Sequence, residues 1–175
     1  MFRTEISRLG VAVLAILLLT TPAKTQHPKQ GSPPAKVDRV LVLKHQRILR
    51  LLHGNKLIKE YKVALGGTPV GPKTQQGDHK TPEGKYVLDS RNPHSQFYKS
   101  LHISYPTAEQ TKAARKRGVS PGGDVYVLGL ANAWREIGAA HRLRDWTDGC
   151  VAVTDEEMDE IWAAVQTGTP IEIRP

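Results

Sequence analysis

The residues of this 175-residue sequence that could do chemistry converge on its one cysteine. Cys150 lies in the run Asp145-Trp146-Thr147-Asp148-Gly149-Cys150-Val151-Ala152-Val153-Thr154. A lone thiol most often fills a core as an inert apolar side chain. Three features favour a nucleophile over that reading. The chain opens on an export signal, described below, and exported proteins usually pair their cysteines, so a leftover thiol stands out. Gly149 has no side chain, so a substrate carbonyl can approach the backbone N–H groups of Gly149 and Cys150, an oxyanion-hole arrangement. The polar, turn-like run before Cys150 sets the sulfur at a strand edge rather than in mid-core.

A thiol of ordinary pKa is only a few per cent ionised at neutral pH, so a nucleophilic Cys150 needs a base or a cation beside it. His141, nine positions upstream in Gly138-Ala139-Ala140-His141-Arg142-Leu143-Arg144, is the candidate base. It reads either as an exposed loop histidine or substrate contact, or as the group that activates Cys150, directly or with Asp145 or Asp148. His79 and His102 are weaker candidates, and His45, His53 and His94 read as surface residues. Arg135, Arg142 and Arg144, with Lys73 and Lys80, form either a solvated basic face or a set from which one cation meets a substrate carboxylate or lowers the thiol pKa. Trp134 and Trp146 either line a cleft or pack under the loop.

The segment Trp146-Thr147-Asp148-Gly149-Cys150-Val151 resembles the nucleophile signature of the L,D-transpeptidase catalytic domain (YkuD) family. Gly77-Asp78-His79-Lys80-Thr81-Pro82-Glu83-Gly84-Lys85-Tyr86 resembles that family's G-D-x-x-T-P-x-G-x-Y loop and strand. His102-Ile103-Ser104-Tyr105-Pro106 and Pro121-Gly122-Gly123-Asp124 match a proteobacterial branch in which D-W-T-D-G-C-[I/V]-A-V-T recurs. The resemblance covers roughly residues 37–174. It implies a periplasmic or cell-envelope cysteine acyltransferase acting on peptidoglycan stem peptides, with no metal and no cofactor. Cys150 is then the nucleophile and Gly149 an oxyanion donor, while Asp78, His79, Thr81, Arg142, Trp146 and Thr147 are expected around the substrate. The sequence departs from the family at one place that matters. Where the family carries a catalytic histidine in a His-Gly pair, this chain has Leu128-Gly129, and leucine cannot take a proton. The family's arginine two residues after the cysteine is replaced by Ala152.

The elements that must position these residues follow from pattern. Residues 1–23 read as a signal peptide: Arg3 and Arg8, then the apolar run Leu9–Thr21, then small and polar residues, with an uncleaved anchor as the other reading. Residues 24–36 read as a proline-containing linker, and 37–175 as the catalytic domain. Val40–Lys44, Arg47–His53 and Leu57–Leu65 predict a three-stranded meander, and Lys85–Asp89, Leu101–Tyr105, Asp124–Leu130 and Pro170–Arg174 further strands. Gly66–Gly84 is a long Gly/Pro-rich loop of functional character. Pro106–Arg117 predicts a helix with Gly118 as its C-cap. Thr154 and Glu157 form a capping box for a second helix, whose Met158, Ile161, Trp162 and Val165 make one apolar stripe. The sum is a mainly-β domain, sandwich or barrel-like, with two peripheral helices.

Composition bounds the rest. One cysteine excludes a disulfide framework, a zinc ribbon and an iron–sulfur cluster. A formal net charge of +8, which becomes +7 once Arg3, Arg8 and Glu5 leave with residues 1–23, suits contact with anionic wall polymers or a membrane surface. Nucleic-acid binding fits poorly, because the charge is dispersed and an export signal precedes it. Two functions remain. One is a peptidoglycan acyltransferase with a non-standard base. The other is a catalytically weakened relative that binds peptidoglycan or a partner enzyme through the same cleft.

Overall fold

The computed structural model describes residues 36–175, so the signal expected over 1–23 and all but the last residue of the linker lie outside the described residues. Strands β1 (Arg39–Leu43), β2 (Ile48–His53) and β3 (Lys56–Lys62) form the antiparallel meander that their alternation predicts. After the long loop come β4 (Gly84–Ser95), β5 (Tyr98–Ile103), helix α1 (Ala108–Lys116) and β6 (Tyr126–Leu128). A 3-10 segment over Asn132–Leu143 leads to β7 (Val151–Ala152), helix α2 (Asp155–Ala164) and β8 (Thr169–Arg174). The strands make one sheet in the order β3-β2-β1-β8-β4-β5-β6-β7, with β1/β8 and β6/β7 parallel.

The sheet curls until its two ends meet. Beyond β3, Ala64 exchanges both backbone hydrogen bonds with Ala152 of β7, at 3.0 and 2.9 Å, and Gly66 bridges Thr147. Closure of this kind leaves few strand edges unpaired. Inside lie the alternate residues of the strands, among them Val40, Val42, Leu49, Leu51, Leu101, Ile103, Ile171 and Ile173. Helix α2 caps this core with Met158, Ile161 and Val165, all fully buried. The fourth member of its stripe, Trp162, stays half-buried and carries the Arg91 guanidinium 3.9 Å from its ring centre. Thr154 and Glu157 cap α2 reciprocally, and Thr107 with Gln110 does the same for α1. Gly118, at φ +70°, follows the C-cap Arg117 rather than being the cap itself.

Several elements differ from the pattern reading: β3 stops at Lys62 rather than Leu65, and β5 runs from Tyr98 to Ile103 rather than from Leu101 to Tyr105. Strand β4 runs on to Ser95, because it pairs with β5 through irregular register shifts that polar residues do not announce. The strand expected over Asp124–Leu130 shrinks to Tyr126–Leu128. The 3-10 segment was not legible, since it has no side-chain N-cap and Gly138 (φ 46°, ψ −132°) breaks it into short turns without helical period.

The long loop is anchored from below. The Lys44 ammonium is buried and donates to Gly71 O (2.7 Å), Thr81 O (2.9 Å) and Glu83 Oε1 (2.8 Å). The Thr81 hydroxyl, fully buried, accepts the Gly66 N–H at 3.0 Å. A buried donor that loses its acceptor costs about 1–3 kcal/mol. Thr81→Val keeps the shape and strips Gly66 of its partner, so urea denaturation should report a loss of that order.

Candidate active site

A cleft of about 960 Å³ opens over the seam where the sheet ends meet, and Cys150 lines it with Lys73, His79, Asp124, Tyr126 and Leu128. The turn before the cysteine is closed by one side chain. Thr147 Oγ1 accepts from Gly149 N–H (3.1 Å) and donates to Cys150 O (2.8 Å). Gly149 has φ +130°, a region strained for any L side chain, and a Cβ there would lie 2.6 Å from Lys80 O. Glycine is therefore required at this position for backbone shape and for the close approach of the loop. The same geometry turns the Gly149 N–H toward Thr147, so of the two oxyanion donors expected from the sequence the Gly149 N–H is already engaged.

The thiol donates toward Asp124 O at 3.7 Å. Burial pushes its pKa up to about 11; the Asp148 and Asp124 carboxylates act in the same direction, while the Tyr126 N–H and the Lys73 ammonium oppose it. On β6, Tyr126 and Leu128 line the cleft and Val127 points to the main core, the period-two register that the sequence suggests. Leu128 shares a buried apolar cluster with Ala64 and Ala152, against which Cys150, Tyr126, Phe97 and Trp146 pack. An apolar side chain thus faces the cleft at position 128.

The structure does not place His141 among the side chains that line this cleft. The 3-10 turns fold its ring in beside Trp146, with Nδ1 accepting from the indole Nε1–H at 3.4 Å and the rings edge to face, 6.4 Å apart. Trp146 lines both the Cys150 cleft and a smaller apolar hollow that contains His141 and Trp134. His141 Nε2 is buried and has no partner, and Asp145, considered as its orienting group, is bound instead by Arg47 (2.8 and 3.0 Å) and Leu65 N–H (2.9 Å). Burial, then the charge of Arg142, lowers the His141 pKa to about 4. Arg142 also lies outside the cleft, paired with Glu157 near the start of α2.

The loop residues divide between scaffold and cleft. Asp78 holds the loop together, accepting from the Thr74, Gln75 and Lys80 N–H groups at 2.7–3.1 Å and from Lys73 Nζ at 2.8 Å. Burial works against its ionisation, but Lys73 and those N–H groups hold the carboxyl below its ordinary range. Thr81 is scaffold too. His79 is the histidine in the cleft, at φ 52°, with Nδ1 2.6 Å from Asp148 Oδ1. His102 pairs with Asp89 at 2.6 Å and lies edge-on to Tyr126. Trp146 stacks near Phe97 at 6.3 Å and meets Trp134 edge to face at 5.6 Å. Phe97 gave no sequence signal, because it reaches the cleft from the β4–β5 turn only through tertiary packing. Among the described residues no group of three or more His, Cys, Asp or Glu side chains is placed to hold a metal ion.

The buried imidazole sets a pH dependence whose sign is fixed. The folded pKa of His141, about 4, lies below its unfolded value, so the unfolded chain takes up the proton first. Its contribution is complete above about pH 6.5 and is lost as pH falls toward 4. Denaturation midpoints measured across that window should fall with acid in the wild type and fall less in His141→Gln.

A family model for the L,D-transpeptidase catalytic domain (YkuD) matches residues 37–173. YafK of Escherichia coli (strain K12) is 27% identical over 155 residues, which are 83% of this chain and 53% of YafK. Among solved structures, the helical cell shape determining protein Pgp2 from Campylobacter jejuni superposes with a TM-score of 0.60 at 24% identity, over 79% of this chain and 47% of that one. The L,D-transpeptidase from Xylanimonas cellulosilytica gives 0.50 at 14% identity, over 80% and 61% of the two chains. At these identities the two structures share the fold. The chain spans about half the length of YafK and of Pgp2. With a closed mainly-β sheet, a cysteine on a glycine turn in its cleft and a family match across nearly every described residue, the chain belongs to the L,D-transpeptidase catalytic domain (YkuD) family.

Proposed function

We propose that this chain is an exported cysteine acyltransferase acting on peptidoglycan stem peptides in the cell envelope, and that its nucleophile is Cys150. The observation that carries the reading is the position of the sulfur: it lines the cleft of about 960 Å³ over the seam, on a turn built around Gly149. The Cys150 thiolate attacks the carbonyl of the third stem residue, the terminal D-alanine leaves with a proton, and a thioester remains. An amine of a second stem, another acceptor or water then attacks the thioester and restores the thiol. His79, oriented by Asp148, is better placed than His141 to receive the thiol proton, because it lines the same cleft. The Cys150 N–H takes the oxyanion role that Gly149 is too engaged to share. Wall remodelling at a basic, envelope-facing surface fits the charge of the chain.

A second reading is favoured by Leu128. Burial and the two neighbouring carboxylates raise the thiol pKa, and leucine at position 128 offers no proton acceptor to offset that. A chain whose thiolate is disfavoured in this way binds stem peptides first and acylates second.

Acylation of the folded chain by a carbapenem, followed by intact mass, separates the two. General-base catalysis typically contributes about 10²–10⁴-fold. We expect slow single-equivalent acylation of the wild type, none of Cys150→Ala, and at least about a tenfold gain in Leu128→His. His141→Ala should leave the rate within about twofold, since a ring behind Trp146 has no direct part in the step. Folded wild type and Leu128→His that both stay unlabelled would leave the binding reading alone.

A further inference from the structure

Lys73 belongs to the long loop, yet its side chain is only 4% exposed. A buried ammonium is costly unless it is paired and hydrogen-bonded. Here it donates to Asp78 Oδ1 at 2.8 Å and reaches Asp148 O at 3.4 Å, the carbonyl two residues before Cys150. Its stem passes between two glycines. A Cβ at Gly149 would lie 3.7 Å from Lys73 Cδ, and a Cβ at Gly122 would lie 3.5 Å from Lys73 Cε. Both are ordinary packing distances, so the stem lies alongside both glycines, and Gly122 comes from the segment that precedes β6. The side chain therefore ties together the loop, the cysteine turn and the approach to β6, and it also lines the cleft.

We propose that Lys73 is the positioning residue of this site: it fixes the Asp148–Cys150 turn and supplies the positive field that favours the Cys150 thiolate. The inference rests on the reading of Cys150 as a nucleophile. The charged and titratable groups that face the sulfur are Asp148 and Asp124, which disfavour the thiolate, with Tyr126 beside it and His79 bound to Asp148. Lys73 is the cation whose charge opposes the two carboxylates. In a site where Leu128 brings no charge, this ammonium takes on the electrostatic part of activation without touching the reacting atoms.

The test compares alkylation of Cys150 by neutral iodoacetamide and anionic iodoacetate, with melting curves as the control for folding. A cation near the sulfur raises the iodoacetate rate relative to the iodoacetamide rate. Loss of that cation should slow iodoacetate at least about fivefold and reduce the ratio of the two rates at least about threefold, in both Lys73→Met and Lys73→Gln. Lys73→Gln keeps a donor for Asp78 and serves if the methionine variant fails to fold. Lys73→Arg, which restores the charge, should return the ratio to near the wild-type value. If both reagents slow by the same factor and the pH at which the thiol becomes reactive does not rise, Lys73 is structural only and the inference is wrong. A wild-type thiol inert to both reagents would overturn the inference together with the nucleophile reading. A reactive thiol whose ratio ignores Lys73 would overturn the inference alone.

Discussion

The segment 64–67 is stitched to the segment 145–152 by a run of backbone and side-chain hydrogen bonds. Ala64 and Ala152 exchange a pair, Leu65 O accepts from both Trp146 and Thr147 N–H at 3.1 Å, and Gly67 N–H donates to Thr147 O at 3.0 Å. Asp145 adds a bond to Leu65 N–H while held by Arg47. This seam closes the sheet and, in the same stroke, fixes the backbone that presents Cys150. Because the loop after Gly67 starts from the seam, its far end can return to cover the cysteine turn, with Lys80 O packed where a side chain on Gly149 would have to go.

That closure has an electrostatic consequence. Packing the turn against β6 partly desolvates the thiol, which disfavours its anion, and the adjoining carboxylates push the same way. A family histidine at position 128 would repay this desolvation with a proton acceptor. Leucine deepens it. Around the sulfur the polar groups are the His79–Asp148 and Lys73–Asp78 pairs.

Much of this was legible in the sequence because it depends on local rules. Alternation in Val40–Val42 and Leu49–Leu51, the Thr154/Glu157 box and the α2 stripe specify their elements directly. The Gly149-Cys150 pair marked the glycine turn that carries the thiol into the cleft, and the Leu128-Gly129 pair marked the apolar side chain beside it. Roles that depend on long-range packing were not legible. His141 is close to Cys150 in sequence, but the 3-10 turns carry it behind Trp146. Arg142 is drawn to Glu157, and Asp78 faces inward to the loop because four donors surround its carboxylate. Lys73 looked like one surface cation among several. Its burial depends on Asp78, which pairs with its ammonium, and on packing of its stem beside Gly122 and Gly149.

The central claim is that a stem peptide occupies this cleft and gives its acyl group to Cys150. Intact-mass analysis of the folded chain during incubation with a disaccharide-tetrapeptide tests it most directly. The account predicts a transient adduct of the stem less its terminal D-alanine, carried by Cys150, absent from Cys150→Ala and more abundant when Leu128 is replaced by histidine. Folded protein that forms no adduct and releases no D-alanine, even with histidine at position 128, would contradict it.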